Sequence, residues 1–348
     1  MKNVILYGSG SEFSQILTLL DKAGYHPLCV ADSKRAFVAE GFEVIPLEKI
    51  VEFDSDIIII TSAFFDRAYG VLRGLLGERF RQYKYMVAPY AWLMLVNVEL
   101  NEQLLKSASK FMKTCKNELM KIYDCTDGET SRILNFIIDV RVNGEYTFSP
   151  YHEVAGLQYV DGYFKDGYLN DIGEFTFVDV GAYYGDTYKQ IEEMYGESLC
   201  RYYAYEPSVN NFNKLKRFFK NVHRKIYKIE NVALSDCNGT MNMGKSGCEF
   251  GIIDDKATAN EEVRAVKLDD LNIQVSGKLV IKLDVEGAEL SVLKGAINTI
   301  TAYRPIMAIC VYHRYNDIYD LPKFLLDNGL KYRFLLRAGI HTHMIAIP

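Results

Sequence analysis

Four short segments in the second half of the chain constrain its fold more than any other feature: FVDVGAYYGDT at 177–187, YEPS at 205–208, NVALSD at 231–236 and IKLDVEGAE at 281–289. Each couples an apolar run of strand length to small or acidic residues, the pattern of a buried strand that ends in a functional turn. The first predicts a strand over 175–179, a glycine bend at Gly181 and Gly185, and a helix that opens near Asp186 and Thr187. Glycine lets a backbone come close to a ligand where a Cβ would collide, and Ala182 belongs to the same small surface. A dinucleotide fingerprint would space its glycines G-x-G-x-x-G, so that helix-end amides hold a pyrophosphate. Here the spacing is G-x-x-x-G, with Asp179 and Asp186 on either side. Those acids repel a phosphate and suit a ligand that carries positive charge.

The next strand, over 202–205, ends in Glu206. Nucleoside-binding α/β folds place an acid there to accept hydrogen bonds from both ribose hydroxyls. Pro207 ends the strand, and Ser208 caps a helix expected to run through Phe218. A third strand, over 225–230, leads to Ala233 and Leu234, a surface against which an adenine would lie, and to Asp236 as acceptor for its exocyclic amine. Asp236 also reads as a hairpin acid ahead of Asn238-Gly239. Strand four, over 279–283, delivers Asp284 and Glu286 and opens a helix at Glu289. Ligands of open parallel sheets bind beyond the carboxyl ends of the strands, where strand order reverses, so Asp284 is expected at the reactive end of the ligand. Glu286 and Glu289 also read as complements to the helix dipole. Adenine, ribose and a cationic tail together point to S-adenosylmethionine (SAM) and a methyl transferase.

On these residues, the stretch 159–348 resembles the FkbM-type family of SAM-dependent methyltransferases. VDVGAYYGDT, Glu206-Pro207, NVALSD, VKLDDL at 266–271, IKLDVEGAELSVLKGA at 281–296, VYHRYND at 311–317 and the closing HTHMIAIP carry the likeness, in order. The resemblance implies O-methyl transfer to a hydroxyl of a sugar, a glycan or a related metabolite.

A hydroxyl is a poor nucleophile while protonated, and His313, after a fifth strand over 306–312, is the expected general base, with Asp284 orienting it or the substrate. Arg314 is placed to hold an anionic acceptor group. Tyrosines crowd the approach to the glycine bend at Tyr151, Tyr159, Tyr163 and Tyr168. Tyr159 and Tyr163 are expected to cover the SAM pocket, and the other two to seal a junction. Asp284, Glu286 and His313 are ligand types for a divalent ion, and His341 and His343 share one face of a strand, but no metal is expected.

The fold expected is α/β: a Rossmann-like methyltransferase sheet over 159–348 with a terminal antiparallel hairpin, a smaller Rossmann-like unit over 1–95, and a helical connector over 96–158. Strands over 3–7, 26–31 and 57–60 and a helix over 11–23 make the first unit. It resembles small domains on bacterial nucleotide-sugar-modifying enzymes. Phe13 stands where a dinucleotide fingerprint wants its third glycine, which argues against NAD there and for a structural or acceptor-docking role. Apolar residues at 100, 104, 105, 108, 111, 112, 115 and 119 follow helical spacing and read as a packing stripe or a homodimer interface. Thr126 and Glu129 form a capping box for a helix through 140. The segment 240–264 is expected as a mobile loop or hairpin over the acceptor site.

Net charge of −5 argues against a nucleic-acid partner. Seven cysteines without a C-x-x-C pair read as free thiols of a cytoplasmic protein. The N-terminus lacks the apolar run of a secretory signal, and no uncharged stretch approaches the roughly 20 residues of a spanning helix. Two rival readings remain: an NAD-dependent or nucleotide-sugar-modifying enzyme, and a non-catalytic module that keeps the SAM fold as a scaffold.

Overall fold

Three sheets organise the described residues. The structure, a computed structural model, describes residues 1–9, 13–33, 38–62, 65–87, 102–143, 148–155, 162–164, 167–222, 227–246, 249–253, 261–337 and 342–348. The first sheet contains β1 (Lys2–Tyr7), β2 (Tyr25–Asp32), β3 (Val38–Ala39), β4 (Phe42–Pro46), β5 (Ile57–Ile60) and β6 (Lys84–Val87), with helices α1 (Phe13–Lys22) and α2 (Phe65–Leu76) between strands. A later strand, β7 (Ser149–Pro150), adds antiparallel to β6, so that the order is β3-β4-β2-β1-β5-β6-β7. Phe13 opens α1 and is buried beside Val4 and Val30, where a third glycine would have left a gap. Asp32, at the end of β2, accepts hydrogen bonds from the backbone N–H and hydroxyl of Ser9 (3.0 and 2.7 Å).

Helices α3 (Glu102–Ile122) and α4 (Gly128–Asn143) follow β6 in the chain. Within α3, the described part of the apolar stripe turns inward: Ala108, Met112, Cys115 and Leu119 are buried. Phe111 packs edge-on against Tyr315 and Tyr319. Contacts inside one chain thus account for a face that also read as a dimer interface. The cap of α4 differs from expectation. Asp127, not Thr126, accepts from the N–H and hydroxyl of Thr130 (2.8 and 2.7 Å), while Thr126 donates to Asp124. Asp wins because Thr130, three residues on, offers two donors to one carboxylate.

The second sheet is built from β8 (Phe175–Val180), β9 (Leu199–Tyr205), β10 (Tyr227–Glu230), β15 (Lys278–Leu283), β16 (Ile306–Cys310), β17 (Arg333–Arg337) and β18 (His343–Ile347), in the order β10-β9-β8-β15-β16-β18-β17. The first five are parallel, and β17 and β18 form the expected antiparallel hairpin. Helices α5 (Asp186–Tyr195), α6 (Val209–Phe219), α7 (Glu289–Gly295), α8 (Ile297–Tyr303) and α9 (Asp317–Asp327) alternate with these strands. Every residue of β8 and β16 is buried, as required of parallel strands covered on both faces. Val178, Ile281 and Ile309 fill one side, and Phe177, Val280 and Ala308 the other. The exposed edge that β17 would present is closed by α3 and α4: the Asp124 N–H donates to the Phe334 carbonyl, and the Leu336 N–H to Thr130 Oγ1.

Between β10 and β15 the chain makes a small third sheet from β11 (Ala233–Leu234), β12 (Gly239–Ser246), β13 (Glu249–Ile253) and β14 (Glu261–Val266), in the order β11-β14-β12-β13. The segment 240–264 therefore contains a hairpin, of the two forms expected. No helix among the described residues is long and apolar enough to cross a membrane.

Candidate active site

Strand order reverses between β8 and β15, and the register places Val180 opposite Leu283. The chain beyond each strand therefore meets its neighbour. Gly181 follows one and Asp284 the other, so close that a Cβ on Gly181 would stand 1.8 Å from the Asp284 carbonyl oxygen; its φ is +79°. Gly185, with φ +98°, lies where a Cβ would meet Phe218 at 2.7 Å. Both glycines are demanded by left-handed backbone and by protein neighbours. The bend is pinned further by the N–H groups of Gly181 and Ala182, which both donate to the Tyr205 carbonyl. Ala182 itself is buried in the core.

Asp179 lies in the protein interior. It is 0% exposed, and its cross-strand partner in the β8–β15 register is Lys282, whose Nζ lies 3.1 Å from its Oδ1. The Tyr202 hydroxyl donates to the other oxygen at 2.5 Å, and Lys282 also donates to the Gly181 carbonyl at 2.6 Å. Burial opposes the Lys282 ammonium, but Asp179 and then Asp284 outweigh it and raise its pKa. The acid thus works through a buried ion pair that holds the glycine bend.

Glu206 ends β9 as expected, 5% exposed. One oxygen accepts from the N–H of Tyr183 in the glycine bend (2.9 Å) and the other from the N–H of Ser208 (3.0 Å). Burial pushes its carboxyl up to about 7 against those two hydrogen bonds. Ser208 caps α6 through Asn211. Asn231 ties the end of β10 to the same corner by donating to the Glu206 and Pro207 carbonyls. Three residues expected to contact the adenine follow. Ala233 and Leu234 are buried within β11, which pairs with β14. Asp236 is exposed beside Gly295, at the end of α7 remote from Glu289.

The densest group lies beyond β15 and β16. His313, 3% exposed, directs Nε2 at Glu286 Oε2 (3.2 Å) and Asp284 Oδ1 (3.5 Å), while its Nδ1 lies 2.8 Å from Oε1 of the fully buried Glu289. Asp284 also accepts from the hydroxyls of Tyr163 (2.6 Å) and Tyr312 (3.3 Å). Burial alone would strip the proton from His313, but Glu289, Glu286 and Asp284 together outweigh it and raise the imidazole pKa well above its ordinary value. That direction favours the protonated ring. Burial raises the Asp284 carboxyl, yet Lys282, His313 and the Tyr163 hydroxyl bring it down to about 2.

Tyr163 joins the site with its ring 5.3 Å from that of His343, and Arg314 is exposed with Nε over Gly287. Tyr151 instead stacks on Tyr69 at 3.6 Å and donates to Asp66, sealing the junction with α2. Tyr159 and His341 lie outside the described residues. Lys282, Tyr202, Tyr312 and the buried role of Glu289 were missed. IKLD and VYHR held the only sequence signals for two of them, a lysine inside an apolar strand and a tyrosine beside the histidine.

The model of the Methyltransferase FkbM domain matches residues 179–334, from the buried aspartate of β8 to the terminal hairpin. That region is an FkbM methyltransferase domain. The crystal structure of methyltransferase FkbM from Methylobacillus flagellatus KT is similar over 99% of this chain and 90% of its own, at 18% identity and a TM-score of 0.66. Its likeness therefore extends through the first sheet as well. A SAM-dependent methyltransferase from Aquifex aeolicus matches 50% of this chain and 82% of its own (14% identity, TM-score 0.31). A putative rRNA methylase from Clostridium thermocellum matches 55% and 98% (9% identity, TM-score 0.36). No curated protein matches the sequence.

Proposed function

We propose that the FkbM domain binds SAM and transfers its methyl group to a hydroxyl of a sugar, a glycan or a related small metabolite. The observation that carries this reading is the pairing of two acidic corners across the point where strand order reverses. Glu206, bonded to the glycine bend, supplies the ribose end. Asp284, Glu286 and His313 supply the reactive end.

The nucleoside lies across the bend between them, its sulfonium drawn by the carboxylates. Transfer forms the O–CH3 bond as the S–CH3 bond breaks, and leaves S-adenosylhomocysteine. The acceptor proton passes to the carboxylate pair. A carboxylate held at a low pKa suffices, because the hydroxyl becomes strongly acidic as its oxygen takes the methyl group. Much of the rate then comes from holding oxygen, carbon and sulfur in line. Tyr163 fixes Asp284, and exposed Arg314 gives an anionic acceptor group a partner. The remaining chain divides as a Rossmann-like unit over 1–95 and a helical connector over 96–158, with acceptor docking as the first unit's role. The described cysteines are free, in keeping with a reducing cytoplasm.

Calorimetry with SAM, S-adenosylhomocysteine and NADH in parallel tests the reading, followed by a glycan and metabolite screen by mass spectrometry for a methyl gain. Saturable SAM binding that Glu206→Ala abolishes, with turnover on a hydroxylated acceptor, is expected. NADH binding without SAM binding would sink it.

A further inference from the structure

We propose that Asp284, Glu286 and His313 form a binding site for one divalent transition-metal cation, with Glu289 as the outer carboxylate that orients the histidine. One ligand atom from each of the three residues lies within 4.8 Å of the others. His313 Nε2 stands 3.5 Å from Asp284 Oδ1 and 3.2 Å from Glu286 Oε2. Ligands held about 2.1 Å from a shared ion stand about 3–4 Å apart, so these atoms need little movement to share one.

A second observation concerns the histidine itself. His313 is nearly fully buried, and its Nε2 points between the two carboxylates without the alignment of a hydrogen bond to either. Its polar neighbours there are the two carboxylates, at 3.2 and 3.5 Å, and a buried nitrogen without an aligned hydrogen bond is costly. Its other nitrogen faces Glu289 at 2.8 Å, and Glu289 is fixed in turn by the Val285 N–H at 3.0 Å. Carboxylate, histidine and ion in that sequence is the arrangement that sets ring tautomer and orientation at metal centres. Three carboxylates surround one imidazole and Lys282 offsets only one of them, so charge balance also calls for a cation.

The donor set chooses the ion. An imidazole with two carboxylates suits manganese, iron, cobalt or zinc better than magnesium or calcium, which prefer oxygen alone. The side chains of Asp284 and Glu286 keep 23% and 28% exposure, so the ion would have a path in and positions open to another oxygen. An acceptor hydroxyl on one of those positions would lose proton affinity to the ion. That catalytic role rests on the methyl-transfer reading above; the site itself does not.

The test uses the full chain, stripped with a chelator and titrated with manganese chloride by calorimetry and electron paramagnetic resonance, with magnesium chloride and SAM titrated separately. One manganese ion per chain is expected, bound more tightly than magnesium. Glu286→Gln and His313→Asn should each weaken it at least about tenfold, and Glu289→Gln about 10–100-fold. Asp236→Asn, at an exposed acid outside the group, should leave it unchanged. Glu286 is partly exposed, so its variant answers the question even if His313→Asn fails to fold. Absence of stoichiometric manganese binding, or equal affinity in Glu286→Gln, overturns the proposal. SAM binding without manganese binding would overturn the metal site alone, and manganese binding without SAM binding would overturn the methyl-transfer reading alone.

Discussion

Replacing Lys282 with Met tests the buried ion pair that underlies the site. The change keeps the length and apolar stem of the side chain and removes only the ammonium. Asp179 would then retain the Tyr202 hydroxyl but lose its cation at 0% exposure. Removing one partner of a buried pair costs about 3–5 kcal/mol, because the other charge stays uncompensated. That is a large share of a typical folding free energy of about 5–15 kcal/mol. The sign with pH follows from burial, which raises the Asp179 carboxyl with only the Tyr202 hydroxyl left to oppose it. A raised folded-state pKa gives stability that is present at low pH and lost as pH rises, so Lys282→Met should be worse at pH 8 than at pH 5. Urea unfolding followed by circular dichroism measures both. Asp179→Asn should cost less, since Lys282 keeps the Gly181 carbonyl, and the double variant should lie nearer wild type than Lys282→Met. A Lys282→Met protein within about 1 kcal/mol of wild type at pH 8, or equally impaired at both pH values, would refute the reasoning.

Gly181→Ala should destabilise far more than Gly185→Ala, because its Cβ meets backbone at 1.8 Å whereas that of Gly185 meets a Phe218 ring that can turn. Both carry a left-handed cost of about 1–2 kcal/mol, so urea midpoints isolate the clash. Asp127 is held down to about 2 by Arg337 and Thr130 in spite of burial. Its contribution of about 2 kcal/mol should be present above about pH 4 and lost as pH falls through about 2, and Asp127→Asn should flatten that part of the stability profile. Glu206 titrates at about 7, and its ionised form accepts best from ribose hydroxyls. SAM affinity by calorimetry should therefore be several-fold weaker at pH 6 than at pH 8, with the dependence gone in Glu206→Gln.

Strands and their acidic ends were legible because each is local: an apolar run, a small residue, a carboxylate. Roles that depend on register were not. Asp179 and Lys282 stand opposite one another only once β8 pairs with β15, and nothing within either segment announces the pair. That Ala233 and Leu234 join a third sheet was not legible either, because its other strands lie later in the chain. Thr126 satisfied a capping pattern that Asp127, one residue on, satisfied better through its two bonds to Thr130.

The His313 environment shows why residue type is a weaker guide than summed charge. A histidine at a strand end reads as a base because its ordinary pKa is near neutral. Here Asp284, Glu286 and Glu289 arrive on one turn and the start of one helix, and all three reach the same ring. Counting charges gives three carboxylates against one imidazolium, a corner that repels phosphate and attracts either a sulfonium or a metal ion. Sulfonium attraction requires only the carboxylates, whereas the metal also requires Nε2. His313→Asn therefore divides the two: it should lower manganese affinity while SAM, held at Glu206 and drawn by the same acids, still binds.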